Sequence, residues 1–119
     1  MREKALSASH APPFAVEAAF RDGIAEFAIQ GDLDVLTAPV LDEMLALALD
    51  KQPSAIVLDF SGVEFLDCAA VRVIARVAAA RPAPGWLTIR HPSPAASRLL
   101  GLTGLTAVVR VVDQVTGNE

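Results

Sequence analysis

The chain has 119 residues, one domain's length, and its 53% apolar content supports a single hydrophobic core and excludes a disordered polymer. A net charge of −4 without a basic cluster argues against nucleic acid as a partner. No apolar run approaches the ~18 residues of a membrane span, so no membrane insertion is expected, and a single cysteine forms no intrachain disulfide, which fits the cytoplasm.

Met1 to Pro13 is polar, ends in Pro12-Pro13, lacks the apolar centre of a signal peptide and reads as a flexible tail (residues 1–13) ahead of a domain at 14–119. From Phe14 to Phe20 the apolar residues Phe14, Val16, Ala18 and Phe20 fall on one side of a strand. Ile24 to Gln30 is a second strand with Phe27 and Ile29 on one face, and Asp22-Gly23 between the two is a hairpin turn. The first of these strands is then an antiparallel edge. Gly31 to Asp34 leaves the sheet, and Thr37 is placed as N-cap of a helix with Pro39 in its first turn and Asp42 and Glu43 near its positive end. Leu41, Met44, Leu45 and Ala48 form its apolar stripe, and it should end near Lys51, before Pro53.

The chain is organised around the stretch from Ile56 to Val71, an apolar run that ends in a loop and feeds a helix. Ala55 to Phe60 is short, branched and nearly uncharged, so it reads as a strand buried on both faces, broken by Ser61-Gly62. Asp67 is the N-cap of a second helix, roughly Cys68 to Ala80, whose buried face is Ala70, Val73, Ile74, Val77 and Ala78. Cys68 therefore falls in a first turn with unpaired amides and a positive dipole end, a place that favours phosphate or another anion. Arg72 and Arg76 lie one turn apart on another face. Trp86 to Arg90 is the next strand, with Trp86, Thr88 and Arg90 opposite Leu87 and Ile89. Ser93 and Pro94 open a short third helix, closed by Gly101 or Gly104, and Ala107 to Val112 is the last strand. Strands alternate with helices from the first helix onward. The expected fold is one α/β domain with a mixed, mostly parallel sheet of about five strands and an N-terminal antiparallel hairpin.

Catalytic chemistry finds little support. His10 and His91 lack metal-ligand spacing, no ordered triad is suggested, and no glycine-rich phosphate loop occurs. No metal or cofactor is expected. Asp34 and Asp67 can be read as a carboxylate pair, or plainly as a turn residue and an N-cap.

Asp59-Phe60-Ser61-Gly62 followed by Phe65-Leu66-Asp67-Cys68 resembles the signature of STAS domains, the anti-sigma factor antagonist domains of bacteria that also occur in sulfate transporters and lipid-transport systems. Gly31-Asp32-Leu33-Asp34 with Thr37-Ala38, and Arg98-Leu99-Leu100 with Leu102-Thr103-Gly104-Leu105, agree with that family in order and spacing, so the similarity spans roughly residues 14 to 113. The resemblance implies a non-catalytic domain that binds a Ser/Thr-kinase-type anti-sigma factor. It places partner contacts at Asp34, Ser61, Asp67, Cys68, Ala69 and Arg72. The alternative it implies is a small STAS subunit of a lipid-transport ABC complex, docked on the ATPase subunit.

The family's phosphoacceptor is a Ser or Thr directly after the motif's Asp, and here that position is Cys68, followed by Ala69-Ala70 in place of Ser-Gly. No hydroxyl occupies positions 68 to 70, so the usual phosphorylation switch is expected to be lost. Cys68 reads plainly as a small buried replacement for Ser, or more sharply as a redox or alkylation site. The resemblance implies a further C-terminal helix, for which Asp113 to Glu119, with Val115 as their only large apolar residue, are too short and polar, so either the sequence is truncated there or one flank of the domain is expected to be less covered. An apolar flank left uncovered in this way can promote self-association.

Overall fold

The computed structural model describes residues 5–9 and 14–114. A hairpin of β2 (Ala15–Arg21) and β3 (Ile24–Gln30) is joined by Asp22 and Gly23, both at positive φ (54° and 80°), the geometry a two-residue right-twisting hairpin requires. The chain continues through α1 (Ala38–Asp50), β4 (Ala55–Gly62), α2 (Cys68–Ala79), β5 (Leu87–Arg90), α3 (Pro94–Leu102), a 3-10 turn (Leu105–Ala107) and β6 (Arg110–Val112). Strand order in the sheet follows chain order. β2 runs antiparallel to β3, and β3 to β6 are parallel. The mixed, mostly parallel α/β domain read from the sequence is the one observed.

One strand was not expected. Ala5–Ser9 forms β1, antiparallel to β2, within the stretch read as a tail, so the sheet has six strands and β2 is not its edge. The segment has a single large apolar residue, Leu6, and gives no periodic signal; it is its backbone that pairs with the otherwise free side of β2. The remainder of the expected tail and Val115 to Glu119 lie outside the described residues.

Cross-strand neighbours share a face, and Ala18, Phe27, Leu58, Ile89 and Val111 form one continuous row across β2 to β6. The buried stripes of α1 (Leu41, Met44, Leu45, Ala48) and α2 (Ala70, Val73, Ile74, Val77, Ala78) join these strands in one core. On the other face β2 to β5 carry only half-buried and exposed side chains. The expectation that β4 is buried on both faces is thus corrected. Ile56, Leu58 and Phe60 are fully buried, whereas Ala55, Val57 and Asp59 remain half-buried. A run of apolar residues cannot by itself distinguish a doubly covered strand from one whose outer face is small or branched.

Other boundaries shift for local reasons. β4 continues through Ser61-Gly62 because Gly62 pairs with Gln30 after a register shift that leaves one extra residue in β4. β5 begins after Trp86, which turns inward and donates its indole N–H to the Val77 carbonyl at 3.0 Å. Gly101 lies within α3, and Gly104 (φ 79°) makes the left-handed turn that ends the segment. β6 is shorter than Ala107–Val112 because Leu105 and Val109 are buried around an intervening 3-10 turn.

Ile74, fully buried on α2, should cost about 2–5 kcal/mol when changed to Ala, whereas exposed Arg72→Ala should change stability by less than about 0.5 kcal/mol. Chemical denaturation of the two variants checks the rotation of α2, and the reverse order would refute it.

Candidate functional site

The exits of β3 and β4 lie at the carboxyl ends of neighbouring parallel strands, where α/β domains gather their functional loops. Backbone bonds stitch the two exits together: Gly31 N–H donates to Gly62 O (2.9 Å), Leu33 N–H to Phe65 O (3.0 Å) and Asp67 N–H to Leu33 O (3.0 Å). Leu33 and Leu66 form an isolated parallel bridge, and both side chains are buried beneath the loops. A third loop is attached by Ser93, whose hydroxyl donates to Glu64 O at 3.1 Å while accepting from the Ala96 amide as N-cap of α3.

This stitching depends on Gly62. A Cβ there would stand 2.8 Å from Ile29 O and 2.8 Å from Gln30 Cγ, so only glycine lets the two strands approach this closely.

Asp34 builds the first loop. Its Oδ1 accepts from the amides of Leu36 (2.9 Å) and Thr37 (3.1 Å), and its own amide donates to Thr37 Oγ1 (2.9 Å). The Thr37 hydroxyl donates to Asp32 O at 2.7 Å, so Thr37 starts α1 without capping it through its side chain. The Thr37 amide, helped by those of Leu36 and Asp34, outweighs desolvation and holds the Asp34 carboxyl below the ordinary aspartate range. Asp67 is the N-cap expected of it, with extended backbone and Oδ1 accepting the Ala69 amide at 2.9 Å.

Asp34, Asp67 and Cys68 thus stand on two loops tied side by side, and Arg72 follows one turn along α2, exposed. Cys68 is exposed, which rules out its reading as a small buried replacement. Ala69 is half-buried. Ser61 is set apart. It is exposed at the end of β4, and its amide donates to Asp59 Oδ1 at 2.9 Å. Asp59 lies 3.7 Å from Arg90 Nη2 and 3.4 Å from His91 Nδ1, and Arg90 also pairs with Glu26. Burial pushes the Asp59 carboxyl up, but the Ser61 amide, His91 and Arg90 together hold it below the ordinary range.

Three exposed apolar residues complete the rim, Phe65 of the quoted motif and two that the sequence did not single out, Val35 and Leu36. Val35 and Leu36 are 68% and 71% exposed in the turn after Asp34, and Phe65 is 50% exposed in the loop before Asp67. The only sequence signal of Val35 and Leu36 is that they are large apolar residues in a loop, outside any helical or strand period. Clustered on cross-linked loops, such side chains suit a protein interface better than a reaction centre.

A family model described as "Mlab, STAS domain" matches residues 16–112. The anti-sigma-F factor antagonist RsfB of Mycobacterium tuberculosis is 35% identical over 60 residues, covering 50% of this chain and 49% of that protein. The chain therefore spans about half the length of the curated relatives it matches. Among solved structures, an anti-sigma factor antagonist from Mycobacterium paratuberculosis superposes with a TM-score of 0.76 at 25% identity, over 87% of this chain and 89% of its own. The anti-sigma factor antagonist SpoIIAA in its unphosphorylated form superposes with a TM-score of 0.65 at 19% identity, over 87% and 89% of the two chains, a likeness of fold.

Two outcomes follow from the geometry of the rim. Gly62→Ala should destabilise the domain by about 1–3 kcal/mol, since backbone rather than a flexible side chain must yield, and thermal unfolding measures this. The Asp34 carboxyl should titrate below the ordinary aspartate range by carboxyl-carbon NMR. Because its folded-state value is depressed, its contribution to stability is present above the unfolded value and is lost as pH falls through the folded one. Asp34→Asn keeps an Oδ1 acceptor and should retain the turn without that acid dependence, whereas Asp34→Ala should loosen residues 34–37 in amide exchange.

Proposed function

The chain belongs to the STAS family, and we propose that it is a non-catalytic binding domain, an anti-sigma factor antagonist of a bacterial partner-switching pathway. The observation that carries this reading is the exposed apolar trio Val35, Leu36 and Phe65 on rigidly joined loops beside Cys68, the first residue of α2. An interface of this kind has an apolar centre, here the trio, with Asp34, Asp67, Ala69 and Arg72 as its polar and small surroundings. Ser61 contributes from the end of β4. The names of RsfB and of the Mycobacterium paratuberculosis structure support an anti-sigma factor as the partner. We assign that partner to the Ser/Thr-kinase type, because the position after Asp67 in the resembling motif is its phosphoacceptor.

In this reading Cys68 leaves the surface permanently competent. A phosphoserine at the first turn would add about −1.5 to −2 charges next to Asp67 and bulk to the docking surface. A thiol keeps the size of Ser and removes the acceptor hydroxyl. The second reading, a small STAS subunit docked on the ATPase of a lipid-transport complex, is favoured by the description of the matching family model. It uses the same rim.

Calorimetric titration of the chain against a purified kinase-type anti-sigma factor and against an ABC ATPase subunit separates the two readings, and binding of neither would overturn both. Phe65→Ala should weaken the true interaction by about 1–2 kcal/mol. Incubated with the kinase and ATP, the native chain should gain no phosphate at Cys68 by intact mass. Cys68→Ser should gain one, and Cys68→Asp should bind more weakly. Stoichiometric phosphorylation of the native chain at position 68 would refute the lost switch.

A further inference from the structure

A groove lies at the opposite end of α2 from Cys68. Ala75, Ala78 and Ala79, the loop Pro82 to Gly85 and the segment Ala107 to Arg110 enclose an open groove of about 740 Å³. That size falls in the range of about 300–1,000 Å³ typical of small-molecule sites. Apart from Arg110 the lining is Ala, Pro, Gly and Val, so no long side chain occupies the space. The nearby indole is already committed, its N–H to Val77 O and its ring beneath the Arg81 guanidinium. Apart from Arg110 the side chains of the walls therefore offer dispersion contacts only.

Arg110 is the second, independent observation. It is the single charged residue of the lining, is exposed, and forms no ion pair among the described residues. Of the other arginines on these elements, Arg76 pairs with Asp42 and Arg90 with Glu26 and Asp59, and Arg72 and Arg98 do not line the groove. An apolar trough with one uncommitted guanidinium is complementary to a slender apolar molecule carrying one anionic end. We propose that this groove binds a free single-chain carboxylate amphiphile, its hydrocarbon against Ala75, Ala79 and Val108 and its carboxylate on Arg110. The site is separate from the docking rim and does not depend on the function assigned to it.

Trp86 is the chain's only tryptophan and directly follows Gly85 of the lining, so it reports on the groove. The probe is sodium decanoate below its micellar concentration, with 1-decanol, decyltrimethylammonium and phosphatidylcholine vesicles doped with oleate in parallel. Decanoate should change Trp86 fluorescence saturably and shift the methyl resonances of Ala79 and Val108. Decyltrimethylammonium should bind about tenfold more weakly, and the vesicles should not retain the protein. Arg110→Gln should bring decanoate down to the affinity of decanol, about a tenfold loss. Ala79→Phe should abolish binding of both, and Ala75→Leu should do the same if the larger ring disturbs the fold. No saturable change, shifts centred on Leu36 and Phe65, equal binding of the cationic probe, or capture by vesicles alone would overturn the proposal. So would concentration-dependent dimerisation that Ala79→Phe removes, since the groove would then belong to a second copy.

Discussion

The three backbone bonds that join the exits of β3 and β4 are the constraint on which the rest of this surface depends. A loop buried without partners for its amides and carbonyls is costly, and here each loop is the other's partner. Leu33 can be fully buried only because its amide and carbonyl are taken by Phe65 and Asp67. With Leu33 and Leu66 fixed below, the side chains between and beyond them have no room inward. Val35, Leu36 and Phe65 are displayed to solvent by that anchoring, on backbone held in place by Asp34, Thr37 and Gly62. The same bonds hold Asp67 at the entrance of α2, where its carboxylate takes the Ala69 amide.

The second organising fact is that the sheet is covered on one face only. Its helical face is apolar, with one row continuous from Ala18 to Val111, and its outer face is where the charges are placed. Glu26, Asp59, Arg90 and His91 lie on or beside three adjacent parallel strands, and they pair across the sheet. Cross-strand pairs of opposite charge on a partly solvated face contribute modestly to stability, but they make a slip in register unfavourable. This cluster also claims the amide of Ser61 through Asp59.

The helices and inner strands were legible because their signals are periodic and large. The buried faces of α1 and α2, the Asp67 and Ser93 caps and the Asp22-Gly23 turn stand where spacing and cap chemistry put them. What was not legible has no periodic signal. β1 is held by backbone pairing in a segment with one large apolar residue. The steric demand on Gly62 comes from Ile29 and Gln30, on a strand distant in the chain, so in the sequence it resembles any strand breaker. The loop apolar residues become a surface only once the two exits are brought together. Asp34 was legible as a turn residue, but how its carboxylate is shared among neighbouring amides is a matter of geometry that residue type cannot supply.

The exposure of Cys68 bears on how the rim can be regulated. Of the first-turn amides of α2, that of Ala69 is already bound by Asp67, and that of Val71 donates to the Asp67 carbonyl. An anion arriving at position 68 therefore meets a helix end whose positive field is partly spent on a neighbouring carboxylate. Repulsion from Asp67 and attraction by the remaining amides act on the same group from adjacent positions, so a phosphate there would be tolerated by the fold and adverse to an apolar partner. In the proposed reading, Cys68 leaves the Asp67 cap and the apolar rim unchanged and lacks only an acceptor hydroxyl.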